Sequence, residues 1–155
     1  MASIIPIASD KAHAARIVLV EDNPTDVYLL NQALHQRGIQ FDLVQYEDGE
    51  QAINAISSDT DLKPDLILVD LNLPRREGFD VLAKVRQTPR LVGVPVGVFT
   101  SSNAAKDRHR IALIGVERYI HKPATLEAFL TEVGAAVEDM LTLRQERDSA
   151  SGSLV

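Results

Sequence analysis

The 155-residue sequence contains no cysteine and no tryptophan, and it has only four phenylalanines and three tyrosines. Without cysteine the chain has no disulfide, no thiolate zinc site and no thiol nucleophile, which suits a reducing compartment. No apolar run is long enough to cross a bilayer. The first residues, MASIIPIASDKAHAARI, hold a proline and an aspartate and no leading basic segment, so they make a poor signal peptide. These absences predict a cytoplasmic protein that does not bind membranes.

The chain also has fewer basic than acidic residues. Sixteen lysines and arginines face 22 aspartates and glutamates, which gives a net charge of -6. Binding to nucleic acid depends on neutralising phosphates, so an acidic chain without a basic cluster is a poor candidate for binding DNA, and a protein partner is expected instead. The four histidines lack metal-ligand spacing and are read as surface residues; they are His13, His35, His109 and His121.

What the sequence does contain is a regular alternation of apolar and amphipathic segments. At this length, with 45% hydrophobic and 25% charged residues, the chain is expected to form one folded domain. Five apolar runs predict strands at 16–20, 41–46, 65–69, 94–99 and 117–121, with helices between them. Because crossovers between parallel strands are right-handed, we predict an α/β, flavodoxin-like (βα)5 doubly wound parallel sheet with strand order 2-1-3-4-5.

The domain boundaries follow from the first and last periodic segments. The first helix has a well-defined start, with Asn23 as the cap, Pro24 at the first helical position and Asp26 in the first turn. The last helix is predicted from about Thr125 to Arg144. We therefore expect an N-terminal extension at 1–15, the folded domain at 16–144 and a flexible tail at 145–155.

Polar residues follow four of the five predicted strands. In open parallel sheets the site lies at the carboxyl ends of the strands, so these residues are expected to meet on one rim. Those after the first and third strands are carboxylates, and those after the fourth and fifth include a hydroxyl and an ammonium. The candidate site residues are Glu21, Asp22, Asp70, Thr100 and Lys122, the last followed by Pro123.

Three carboxylates on one rim repel each other unless a cation lies between them. Oxygen ligands alone favour the hard ion Mg²⁺, for which Mn²⁺ or Ca²⁺ could substitute in a crystal. A hard cation, an ammonium and a hydroxyl together suit a phosphoryl group, and Asp70 on the central strand is the expected acceptor. The sequence has no GxxxxGK[ST] loop for a nucleotide. A single aspartate at a strand end is more often a turn residue. The prediction of a site therefore depends on polar groups following four of the five strands.

The motifs VLVEDN, LILVDLNLPRREG, VFTSS and YIHKP resemble those of response regulator receiver domains of the CheY-like superfamily, over most of the chain. The resemblance implies that Asp70 is the phosphoacceptor and that Asp22, Asp70 and the backbone carbonyl of Asn72 hold Mg²⁺, with Glu21 acting through water. The remaining roles are carried over in the same way. Thr100 and Lys122 are expected to contact the phosphoryl group, Tyr119 to be the switch aromatic, Pro123 to follow a cis peptide bond, and Asn72 and Ser102 to tune the phosphoryl lifetime.

Within this family the chain is most similar to the single-domain response regulators of bacterial and cyanobacterial phytochromes. VEDNPTDVYLL and KPATLEAFL carry that narrower likeness. It implies a sensor histidine kinase of phytochrome type as the partner in a Mg²⁺-dependent phosphorelay. The apolar stripe of the last helix continues to Met140 and Leu141, which are either an extra turn of core or an exposed interface. The resemblance favours a homodimer formed by the fourth helix, the fifth strand and the last helix.

Two other functions remain open at this stage. A receiver-fold binding module that works without phosphorylation would be expected to have lost Asp70 or Lys122, and both are present. An aspartate-dependent phosphatase would prefer a second aspartate two residues after the nucleophile, where this chain has Asn72. The sequence therefore favours a phosphoacceptor signalling protein that catalyses only its own phosphotransfer and dephosphorylation.

Overall fold

The computed structural model describes residues 14–153 of the chain. Its sheet has five parallel strands, and their spatial order is β2-β1-β3-β4-β5, which confirms the predicted topology. Residues 1–13 of the predicted extension and residues 154–155 of the predicted tail lie outside the described part. The strands are β1 (Ala15–Val20), β2 (Phe41–Tyr46), β3 (Leu66–Val69), β4 (Val96–Thr100) and β5 (Arg118–His121).

The central strands are buried on both faces because their side chains alternate between two cores. In β3, Ile67 and Val69 pack in one core cluster, whereas Leu66 and Leu68 pack in the other. All four residues of this strand are buried. The edge strand β2 has an intermediate or exposed side chain at every position, as its more polar sequence predicts.

The helices form two layers over the sheet. They are α1 (Pro24–Gln36), α2 (Gly49–Ser58), α3 (Gly78–Arg86), α4 (Ala105–Ile114) and a last helix α5 at 126–153, which contains a π-helical stretch, Phe129–Val133. Residues of α2, α3 and α4 pack in one core cluster, and residues of α1 and α5 pack in the other. Within the described residues, none of these helices combines the length and the apolar character needed to span a membrane.

The start of α1 is built as the sequence predicts. The side chain of Asn23 accepts hydrogen bonds from the backbone N–H groups of Thr25 and Asp26, at 2.9 and 3.4 Å. Pro24 takes the first helical position, where its missing N–H costs nothing. After the helix, Gly38 has a φ of +68°, a left-handed conformation that glycine adopts without strain. The caps therefore fix the segment that leads directly out of the site.

The interpretation of the apolar stripe as an exposed interface is wrong for Met140. This side chain is 3% exposed and belongs to the core shared with α1. The reason is Gly97 in β4, because a Cβ built there would lie 3.0 Å from Met140 Cε. The missing side chain at Gly97 leaves the space that Met140 fills, and Leu141 is partly buried against the same core.

The predicted end of the last helix at Arg144 is also wrong. The helix continues to Ser153. Arg147 donates to the backbone carbonyl of Gly93 at 3.1 Å and to Glu117 at 3.2 Å, and Arg144 forms an i,i+4 ion pair with Asp148. These contacts hold the end of the helix against the edge of the sheet where the strands begin. From its polar composition, this segment was predicted to be a flexible tail.

Candidate functional site

The predicted site residues meet at the carboxyl ends of the strands. Glu21 follows β1, Asp70 follows β3, Thr100 ends β4 and Lys122 follows β5. This rim lies where the order of the sheet reverses, since β1 is flanked by β2 and β3. The fold therefore brings groups from four strands to one place, as the sequence predicts.

Three carboxylates form a compact oxygen cluster on this rim. Glu21, Asp22 and Asp70 each offer one carboxylate oxygen, and these oxygens all lie within 4.8 Å of one another. Glu21 is fully buried, Asp70 is 5% exposed, and Asp22 is open to solvent. A set of hard oxygen donors with one open side fits Mg²⁺, which binds through one or two carboxylates and keeps several waters. The residues present therefore fit the divalent cation that the sequence implies.

Lys122 provides the positive charge of the site. Its Nζ atom donates hydrogen bonds to Glu21 Oε1 at 2.6 Å, Asp26 Oδ2 at 2.8 Å and Asp70 Oδ2 at 3.3 Å. Burial alone would lower the pKa of this lysine, but the bonds to Asp26 and Glu21 and the charge of Asp70 raise it above its usual value. The ammonium form is therefore secured, and it lies next to the carboxylate of Asp70.

The carboxyl group of Glu21 has an unusual acidity. Burial raises its pKa from 4.5 to about 7, although the hydrogen bond from Lys122 and the backbone N–H of Asn23 act in the opposite direction. Nearby Asp70 adds a repulsive charge. A carboxyl group with this pKa exchanges its proton near neutral pH.

This pKa predicts a specific pH dependence of stability. Because the pKa of Glu21 is higher in the folded state than in the unfolded chain, its contribution to stability is fully present below about pH 4.5. That contribution is lost as the pH rises through about 7. Glu21→Gln stays neutral, so its free energy of unfolding should improve relative to wild type by up to about 3 kcal/mol across that range. Urea unfolding without divalent cations measures this. Glu132→Gln, at an exposed carboxyl, is the matched control, and a Glu21→Gln difference that stays flat with pH would contradict the prediction.

The loop after β3 holds Asp70 in position. The backbone N–H of Asn72 donates to Asp70 Oδ1 at 3.2 Å, which leaves Oδ2 facing Lys122. The loop closes on itself, because the N–H of Gly78 donates to the carbonyl of Leu71 at 3.2 Å. A Cβ at Gly78 would lie 2.2 Å from the backbone oxygen of Asp70. Only glycine allows α3 to begin this close to the backbone of Asp70.

The region around Thr100 links the site to α4 and β5. Thr100 is fully buried, and its Oγ1 accepts a hydrogen bond from the N–H of Ser102 at 3.2 Å. The hydroxyl of Tyr119 donates to the Ser102 carbonyl at 2.6 Å. The guanidinium of Arg108 lies 4.2 Å from the centre of the Tyr119 ring. Ser102 also donates through its hydroxyl to Asp107 at 2.6 Å, so its side chain is turned toward α4.

This arrangement matches a family of known proteins. A family model described as the response regulator receiver domain matches residues 17–134. The chain belongs to the response regulator receiver family. Response regulator Rcp1 from Synechocystis sp. is 32% identical over 124 residues, which cover 77% of this chain and 84% of Rcp1. Receiver domains are signalling modules, so the chain is a response regulator of the two-component type.

Solved structures of receiver proteins show the same fold. The crystal structure of the phosphorylated cyanobacterial phytochrome response regulator RcpA has a TM-score of 0.76 and 33% identity, and the match covers 83% of this chain and 94% of RcpA. The Mn²⁺-bound form of Rcp1 has a TM-score of 0.71 and 32% identity, with 78% of this chain and 90% of Rcp1 covered. A similar protein thus binds a divalent cation, in agreement with the acidic cluster of this receiver domain.

The expected cis bond before Pro123 is not found. The part of the receiver domain between residues 14 and 153 contains no cis peptide bond, so Pro123 follows a trans bond. Trans is the ordinary preference even before proline, by about 0.5–1 kcal/mol. With this geometry the backbone N–H of Lys122 still donates to the Thr100 carbonyl at 2.8 Å, and its Nζ reaches the carboxylates.

One residue of the receiver site was missed by sequence reasoning. Asp26 was placed only in the first turn of α1, where a carboxylate suits the helix dipole, yet its side chain binds Lys122 at 2.8 Å. It is 16% exposed and lies beside a lysine that is 10% exposed. The available signal was its position in the turn directly after the strand that carries Glu21 and Asp22.

Proposed function

We propose that this response regulator accepts a phosphoryl group on Asp70 from a histidine kinase in a Mg²⁺-dependent phosphorelay. The observation that carries the proposal is the position of Asp70. Asp70 is 5% exposed, and its carboxylate shares an oxygen cluster with Glu21 and Asp22 and faces the ammonium of Lys122. A buried carboxylate held between a cation site and a lysine is suited to accept a phosphoryl group.

The transfer step balances without any further reagent. An oxygen of the Asp70 carboxylate attacks phosphorus and forms a P–O bond, while the P–N bond of the kinase phosphohistidine breaks. The imidazole leaves with the electron pair, and the product is an acyl phosphate. Lys122 holds positive charge next to the forming bond, since its Nζ lies 3.3 Å from Asp70 Oδ2.

Mg²⁺ has a defined place in this proposal. Asp22, Asp70 and the backbone carbonyl of Asn72 would hold the ion, with Glu21 acting through water. When bound, Mg²⁺ supplies positive charge that offsets the negative charge of the phosphoryl oxygens. The acidic cluster and the Mn²⁺-bound form of Rcp1 support this assignment.

The response to phosphorylation would pass through Thr100. In this proposal the Thr100 hydroxyl forms a hydrogen bond with a phosphoryl oxygen. To do so, Oγ1 has to give up the hydrogen bond that it now accepts from the Ser102 N–H. The hydroxyl of Tyr119 donates to the carbonyl of Ser102, so a shift of the loop that contains Ser102 would release or reorient the Tyr119 ring. Asn72 and Ser102 flank the expected path of the hydrolytic water and are assigned the tuning of the phosphoryl lifetime.

The kinase is proposed to be of phytochrome type. RcpA is by its title a cyanobacterial phytochrome response regulator, and a further similar structure, RtBRR, is a bacteriophytochrome response regulator. Because such kinases draw their phosphoryl group from cytoplasmic ATP, we place the protein in the cytoplasm. No DNA or membrane partner is proposed.

The test of the kinase assignment is direct phosphotransfer. A purified phytochrome histidine kinase, labelled on its histidine, should pass the label to this protein within minutes and only with Mg²⁺. An unrelated histidine kinase labelled to the same extent is the control. Equal transfer from both kinases would contradict the phytochrome assignment, and no transfer from either would contradict the phosphorelay.

We also propose a homodimer formed by α4, β5 and α5. The apolar stripe of the last helix does not support this dimer at Met140, because that side chain is in the core. Leu113 on α4 is 76% exposed, and Arg118 of β5 pairs with Asp139 of α5 at 3.6 Å. Light scattering should give a dimer mass for wild type and a monomer mass for Leu113→Glu. A wild type that stays monomeric at high concentration would remove the proposal.

A further inference from the structure

The Lys122 ammonium has all of its hydrogen-bond donors committed before any phosphoryl group arrives. An ammonium has three N–H donors, and Lys122 contacts three carboxylates. The bonds to Glu21 and Asp26 measure 2.6 and 2.8 Å, whereas the bond to Asp70 measures 3.3 Å. The lysine is therefore held most tightly by the two carboxylates that are not the proposed acceptor.

Asp26 differs from the other carboxylates of the site. It is outside the cluster of candidate metal-ligating groups found among residues 14–153, which comprises Glu21, Asp22 and Asp70. Its described side-chain partner is Lys122. Its backbone is fixed by the N-cap of α1, where its N–H donates to Asn23 Oδ1, and the N–H of Asn23 donates in turn to Glu21 Oε2 at 3.1 Å. The carboxylate of Asp26 is thus built onto a rigid segment that points it at the lysine.

This geometry has a consequence for the reactivity of Asp70. A carboxylate oxygen bound closely by an ammonium is a poorer nucleophile, because the charge-assisted hydrogen bond must loosen before the oxygen attacks. With Asp26 absent, the lysine would have only Glu21 and Asp70 to pair with, and it would move toward Asp70. Asp26 opposes that movement because it attracts the ammonium from another direction.

We infer that Asp26 is a positioning residue that holds Lys122 off the Asp70 carboxylate before transfer and keeps it within reach of the phosphoryl group afterwards. This inference rests on the proposed phosphotransfer to Asp70 and adds to it a residue whose effect runs through Lys122. The competing interpretation is that Asp26 only stabilises the N-terminus of α1 through the helix dipole.

The chain offers a matched control for that competing interpretation. Asp80 occupies the first turn of α3, is exposed, and has no described side-chain hydrogen bond or ion pair in residues 14–153. Asp80→Asn removes a first-turn carboxylate from a helix without touching Lys122. Asp26→Asn removes the same charge together with the ion pair, and Asp26→Glu keeps the charge on a longer side chain.

The experiment measures phosphorylation by acetyl phosphate with saturating Mg²⁺ in the full chain. An Asp70 oxygen forms a bond to phosphorus, the P–O bond to the acetyl group breaks, and acetate leaves with the electron pair. Asp26→Asn should lower the saturating rate constant at least about fivefold, with the donor concentration at half-maximal rate unchanged. Asp26→Glu should recover most of the rate, and Asp80→Asn should match wild type. Asp26→Ser serves as a second variant where Asp26→Asn does not fold.

A second readout follows the lysine itself without any phosphoryl donor. In proteins with ¹⁵N-labelled lysine, the Lys122 ammonium protons should exchange with water faster in Asp26→Asn than in wild type or Asp80→Asn. If wild type is phosphorylated and both Asp26→Asn and Asp26→Ser react within about twofold of it, the inference alone is wrong. If wild type takes up no phosphoryl group, the proposed function fails and the inference fails with it.

Discussion

Replacement of Lys122 by methionine is expected to slow phosphoryl uptake at least about 100-fold, which is the typical effect of removing one preorganised donor from a charged transition state. Methionine keeps an unbranched apolar side chain of similar length and removes the charge. In the wild type the Lys122 Nζ lies 2.6 to 3.3 Å from carboxylate oxygens of Glu21, Asp26 and Asp70. The substitution leaves these carboxylates without that cation. The rate with acetyl phosphate and Mg²⁺ measures the effect.

The same substitution should also destabilise the fold. Removal of one partner from a buried ion pair leaves uncompensated charge, and we expect a loss of about 3 kcal/mol in the free energy of unfolding near neutral pH. The loss should be smaller in acid, where Glu21 holds a proton. Lys63→Met, at an exposed lysine that precedes β3, is the matched control. A Lys122→Met protein that reacts within about threefold of wild type would contradict the role of the ammonium.

Gly78→Ala is expected to have the second large effect, on both stability and phosphorylation. The added Cβ would lie 2.2 Å from the backbone oxygen of Asp70 and 2.7 Å from Leu71 Cα. Because these are backbone atoms, no side-chain rotation relieves the clash, and the acceptor loop has to move. We expect a loss of about 3 kcal/mol in the free energy of unfolding, measured by urea denaturation, with slower phosphoryl uptake in the fraction that folds.

Gly134→Ala separates this effect from glycine substitution in general. A Cβ there would lie 2.7 Å from Cδ of Arg37, which is part of a flexible side chain that can shift, and 3.3 Å from the backbone oxygen of Ala33, a contact that a shift of a few tenths of an ångström relieves. Gly134 begins an α-helical segment, where alanine has the higher propensity, so we expect a change within about 1 kcal/mol. Equal losses at the two positions would contradict the argument that the acceptor loop is the constrained element.

The order and faces of the sheet could be predicted from the sequence because each depends on local patterns. Apolar runs flanked by turn residues marked the strands, and right-handed crossovers left few ways to connect them. The strand boundaries were less exact. Strand β4 was predicted from Val94, but Pro95 has no N–H for the ladder, and the strand begins at Val96.

The burial of Met140 could not be predicted from helical periodicity alone. Its environment is decided by a glycine in a distant strand, Gly97, and only the three-dimensional packing brings the two together. A glycine inside an apolar strand is nevertheless a sign that another element approaches closely. That signal in VPVGVF would have favoured core over interface.

The site was predictable where each residue follows its own strand, and less so where it does not. Asp70, Thr100 and Lys122 all sit at strand ends, so the rule for parallel sheets placed them on one rim. Asp26 lies in the first turn of a helix, and its pairing with Lys122 depends on how α1 leaves the sheet after the Asn23 cap. Sequence spacing gives no direct measure of that angle.

The most direct test of the central claim is the site of phosphorylation. The intact protein, incubated with acetyl phosphate and Mg²⁺, should gain the mass of one phosphoryl group, and the label should be acid-stable but lost in mild base, as an acyl phosphate is. Peptide mapping should place it on Asp70, and Asp70→Asn should gain no mass. A phosphoryl group on another residue of the wild type, or no gain in mass with a competent donor and Mg²⁺, would contradict the account.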